Sequence, residues 1–87
     1  MIKSQELSDP ASCLNKAHAQ EPLFVLKASD KLAPKTIRDW ARRLEAESMV
    51  GVTQEIADRR RAKVADAREI ATAMERWAAQ NSSKTPD

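Results

Sequence analysis

The chain has one glycine, one cysteine, no tyrosine and only three aromatic side chains, Phe24, Trp40 and Trp77. Each scarcity excludes something. A phosphate-cradling loop needs several glycines so that backbone N–H groups can close on the anion, and Gly51 alone cannot build one. Cys13 cannot form an intramolecular disulfide, and no His, Asp or Asn clusters with it to make a nucleophile. His18 has no second ligand at metal-binding spacing. The carboxylates are scattered along helical stretches, and no pair sits isolated in an apolar setting that would raise a pKa for acid–base work. These absences point away from an enzyme and imply neither cofactor nor metal. No run approaches the ~18 apolar residues of a membrane span. Met1 to Asp9 lacks the apolar core of a signal peptide, so the expected compartment is the cytoplasm, where thiols stay reduced.

Eighty-seven residues make one domain at most, so residues 1–87 are read as a single domain with flexible ends at 1–7 and 81–87. A domain this small buries little of its surface and is marginally stable alone, which favours a homo-oligomer. The net charge of +2 is too small to establish a nucleic-acid partner.

The pattern along the chain is mainly α. Ser8-Asp9-Pro10 reads as a helix start, with capping oxygens ahead of a proline tolerated in the first turn. A short helix is expected over residues 11–19, turning Leu14 and Ala17 inward. Glu21-Pro22 ends it, because the residue before proline is pushed out of helical geometry. Leu23-Phe24-Val25-Leu26 is the most apolar run and reads as one short extended segment. With no second strand in the sequence, it would pair with the same run of another subunit or pack against helices.

A helical hairpin follows, from residues near 34–48 and 53–80. Pro34 suits a first turn, and Ile37, Trp40, Ala41 and Leu44 recur at spacings of three and four on one face. Asp39 with Arg43 is a favourable i,i+4 pair. The helix is expected to end before Gly51, a natural C-terminal cap or turn; Thr53 is the natural cap of the next helix, and Glu55 lies at its positive end. Residues 53–80 contain neither proline nor glycine, and a helix of that span is roughly 40 Å long.

Plotted at about 100° per residue, Ile56, Val64, Ala67, Ile70, Ala71, Met74, Trp77 and Ala78 share a sector of the long helix. Arg60 falls in the middle of that sector, with Lys63 and Arg59 at its edge. A buried, unpaired arginine is heavily penalised, so Arg60 lies beyond the core or faces an acid, a partner or an anionic ligand. In one reading Arg59-Arg60-Arg61 is a solvated stretch, with surface pairs Glu55–Arg59 and Asp58–Arg61. In the other, Arg60, Lys63 and Arg59 combine with Arg38 and Arg42, which share a face, as an anion-binding set. Trp40 and Trp77 read as core or interface anchors rather than a base-stacking platform. Phe24, Val25, Ile70, Met74 and Trp77 form the expected oligomer interface.

The motifs Asp9-Pro10, Leu14-Asn15-Lys16-Ala17, Glu21-Pro22-Leu23-Phe24-Val25-Leu26, Asp30-Lys31-Leu32-Ala33-Pro34, Trp40, Met74-Glu75-Arg76-Trp77 and Lys84-Thr85-Pro86-Asp87 run through most of the chain. In these it resembles a group of small phage and prophage proteins without settled activity. The resemblance implies a phage-encoded accessory protein in the bacterial host cytoplasm, of the kind that counters a host defence. Two modes are then expected: sequestering a small anionic, nucleotide-like ligand, or occluding a host protein through the helical face. The alternative is a nucleic-acid binder using the arginine clusters of both helices, against which the interleaved acids count.

Overall fold

The computed structural model describes residues 1–47 and 50–81. The flexible end expected at 81–87 therefore lies, but for its first residue, outside the described residues. The fold is mainly helical, in the order α1 (Lys3–Ser8), α2 (Cys13–Lys16), α3 (Ala33–Ala46) and α4 (Gln54–Gln80). The expected hairpin with a long C-terminal helix is formed by α3 and α4, which pack along one another. Thr53 caps α4 as its sequence position predicts, its Oγ1 accepting from the Ile56 N–H at 3.2 Å. Gly51 sits at φ +81°, the left-handed region in which a Cβ would be strained, but in a turn rather than as the cap of α3, which ends at Ala46 with Glu47 as its C-cap.

The N-terminal region departs from expectation. Residues expected to be flexible form α1, and the helix expected over 11–19 is reduced to the single turn of α2. Side chains account for both. Ser12, rather than Ser8 or Asp9, caps α2 by accepting from the Asn15 N–H at 3.1 Å. Asp9 instead accepts from the Ala11 N–H at 2.8 Å, a local turn that separates the two helices. The carbonyls at the end of α1 are then captured: Asn15 Nδ2 donates to Glu6, Leu7 and Asp9 oxygens, and Ser12 Oγ donates to Glu6. A six-residue helix persists because its last carbonyls have partners well along the sequence, up to nine residues away. Leu14, expected to point inward, is on the outside, while Ala17 is half-buried. α1 and α2 touch each other, and neither packs on the hairpin.

Leu23–Leu26 belongs to no helix and no strand. On either side the chain turns, Glu21 N–H bonding to the His18 oxygen and Asp30 N–H to the Lys27 oxygen.

The hairpin core is thin. Its buried apolar residues are Ala33, Pro34, Ala41, Ala57, Val64, Ala67 and Ala71, and no large side chain is fully buried among the described residues. Ala41, Val64 and Ala67 form its centre, with Ile37 and Leu44 packed against them and half-buried. Alanine lets the two backbones approach closely but contributes little apolar area per residue. The sector read from the sequence therefore splits. Val64, Ala67 and Ala71 face α3, whereas Ile56 and Trp77 are 39% and 45% exposed.

Candidate functional site: two unlike flanks of the hairpin

The antiparallel register of α3 and α4 is marked by two arginine forks. Arg38 donates from Nη1 and Nη2 to the two carboxylate oxygens of Glu75, at 2.8 and 2.6 Å, and Nη2 also reaches Thr72 Oγ1 at 3.4 Å. Arg68 grips Glu45 the same way, at 3.1 Å for each bond. Both forks lie on one flank of the hairpin. Being exposed, they set geometry more than they add stability.

The forks have a pH signature. Hydrogen bonds from Arg38, reinforced by its charge, hold the Glu75 carboxyl below the ordinary carboxylate range, and Arg68 does the same to Glu45. A depressed folded-state pKa means stability present above the unfolded value and lost as pH falls through the folded one. The hairpin should therefore lose part of its thermal stability as pH falls below about 4.5, the ordinary value for these groups. Thermal melts from about pH 6 down to about pH 2 check this. A Glu45→Gln, Glu75→Gln double variant should show a shallower acid decline than the unsubstituted chain, and an identical decline would refute it.

The pairs made by Arg42, Arg59 and Arg61 lie within a turn of one helix. Arg42 pairs with Asp39 at 3.0 Å, so Asp39 takes the residue three positions on rather than the expected Arg43. Arg59 pairs with Glu55, and Arg61 with Asp58 at 3.2 Å, as the sequence suggested. Lys63 is exposed, and Arg60 is half-buried and engaged within the chain. The anion-binding set is not assembled inside one chain. Arg38 is tied to Glu75, and from there to Arg60 is roughly 22 Å along α4 at ~1.5 Å per residue. Arg42 points its charge at its own helix. A different gathering of cations, not singled out by the sequence, lines a shallow groove where Lys31, Lys35 and Arg38 stand with Asp30 and Glu75. It comes from the turn before α3 meeting the end of α4, a contact that no local pattern announces.

The other flank is apolar. Helical spacing puts Trp40 on the opposite edge of α3 from Arg38 and Glu45, and puts Ile70, Met74 and Trp77 on the opposite edge of α4 from Arg68 and Glu75. Trp40 is 51% exposed, and Ile70 and Met74 are half-buried. Ile37 and Leu44 underlie the same edge of α3. Of the residues expected at an interface, Ile70, Met74 and Trp77 are thus together here. Phe24 and Val25 are far more open, at 87% and 69%, but belong to the run ahead of α3.

Among the described residues, no cluster of His, Cys, Asp and Glu is able to hold a metal ion, and no helix is long and apolar enough to cross a membrane. Comparison with known proteins finds no matching family model, no similar curated protein and no similar solved structure.

Proposed function

We propose that this chain is a non-catalytic accessory protein, of phage origin, that acts by covering a host protein with the apolar flank of its helical hairpin. The observation that carries this reading is an inversion of the usual arrangement. The centre of the hairpin is built from alanine and one valine, while both tryptophans are about half exposed and Ile70 and Met74, which helical spacing sets on the same edge of α4 as Trp77, are half-buried. Tryptophan is among the residues most enriched at binding hot spots, and an apolar patch rimmed by charge is the usual mark of a protein-binding surface.

The phage setting is taken from the resemblance of the sequence motifs. Sequestering a small anion draws less support, because Arg38, Arg42 and Arg59 already hold carboxylates of their own chain. Nucleic-acid binding is disfavoured for the same reason, together with the net charge of only +2.

A photo-crosslinking amino acid in place of the exposed Ala73, one turn before Trp77, expressed in the bacterial host, tests the reading. The expected result is one adduct with a host protein, absent when the crosslinker replaces the exposed Ala65 on another side of α4. Adducts only with the chain itself, adducts with nucleic acid, or equal labelling from both positions would overturn it.

A further inference from the structure

We propose that Leu23–Leu26 is a docking strand for a second copy of this chain, pairing antiparallel about Phe24. This is independent of what the hairpin flank binds. The run exposes Leu23, Phe24 and Val25 by 55%, 87% and 69%, and its backbone N–H groups have no partner among the described residues. Four consecutive apolar residues with a free backbone edge are suited to pairing with another strand.

Charge selects the occupant. The run is bracketed by Glu21 and Lys27, three residues before and three after Phe24. Antiparallel pairing with Phe24 opposite Phe24 of the second copy sets Glu21 against Lys27, and Lys27 against Glu21, at the two ends. A parallel arrangement would set like charge against like. Opposite charges facing across strands stabilise, and like charges destabilise. A two-fold axis through Phe24 therefore makes this segment complementary to itself.

The backbone accepts the same register. If Leu23 and Val25 exchange both hydrogen bonds across the axis, Phe24 and Pro22 fall at the alternate, non-bonded positions. Pro22, which has no N–H, then loses nothing. The outer N–H of Glu21 and the oxygen of Lys27 are already used by the flanking turns, which limits the ladder to its centre. The two Phe24 rings meet at a non-bonded pair, where strands bring side chains closest, at Cα separations of ~4.5 Å. A two-stranded ribbon is marginal alone, so association should be concentration-dependent.

Sedimentation of the full chain across a concentration series tests this with Glu21→Lys, Lys27→Glu and the double exchange. The expected result is reversible dimerisation of the unsubstituted chain, about tenfold weaker in each single variant and recovered in the double. Recovery is diagnostic because Glu21 also accepts from the His18 N–H at 3.2 Å, a contact the double variant does not restore. Amide exchange supplies a second readout. Leu23 and Val25 should gain protection on dimerisation while Phe24 between them does not. A chain that stays monomeric at its solubility limit, a dimer indifferent to the single exchanges, a double variant no better than the singles, or uniform protection across the run would each overturn the proposal.

Discussion

Val64→Asp should cost the hairpin roughly 3–5 kcal/mol and abolish most of its helical signal, whereas Ala65→Asp, one residue along, should cost under about 1 kcal/mol. Val64 is 4% exposed and lies in the Ala41, Val64, Ala67 centre; Ala65 is exposed. Removing the valine forfeits about 1.5–3 kcal/mol of apolar burial. The carboxylate then has to be buried without a partner or the helices must part, which adds a comparable cost. The cations one turn away on α4, Arg60 and Arg68, are both already engaged, Arg68 through its two Nη groups on Glu45. A domain of this length has a total stability on the order of 4–13 kcal/mol, so such a loss is a large part of the whole. Circular dichroism at the helical band, with a thermal melt, reads the contrast. If the two variants melted alike, the α3–α4 packing would be wrong.

The second large effect should come from the tryptophans, and it should fall more heavily on binding than on the fold. Trp40→Ala and Trp77→Ala remove side chains that are 51% and 45% exposed, so about half of each ring is already in water and each change should cost the chain roughly 1–3 kcal/mol. Truncating a hot-spot tryptophan costs upwards of ~2 kcal/mol of affinity, or roughly 30-fold. In either variant the host-protein adduct captured from a crosslinker at the exposed Ala73, one turn before Trp77, should fall steeply while the helical signal at low temperature is retained. The opposite result, a collapsed fold with undiminished capture, would return the tryptophans to a structural role and remove the proposed binding flank.

The helical hairpin was legible because its signals are local. Proline-free, glycine-free sequence after Thr53, a threonine with its hydroxyl at the right place, and Gly51 where φ must be positive are all read within a few residues. The surface pairs Glu55–Arg59 and Asp58–Arg61 were equally legible, because they lie within one turn. α1 was not. It depends on Asn15 and Ser12 reaching back to carbonyls of Glu6, Leu7 and Asp9, and such reach has no periodic trace.

The candidate site divides along the same line. Periodicity placed Ile56, Val64, Ala67, Ile70, Ala71, Met74 and Trp77 in one sector of α4 without saying which part of that sector α3 would cover. A helix neighbour covers only a strip, and the small residues took the strip because they permit close approach. The large ones were left at its edge, which turned an apparent core into an exposed flank. Arg38 and Arg42 share a face by spacing alone, but only the register of the two helices tied Arg38 to Glu75, and helix length kept it far from Arg60. Sequence by itself determined the helices of the hairpin, the cap of α4 and the scarcity of glycine, cysteine and aromatic side chains. The tertiary structure decided which apolar side chains are buried and which cations are occupied, because both depend on the angle and register at which two helices meet.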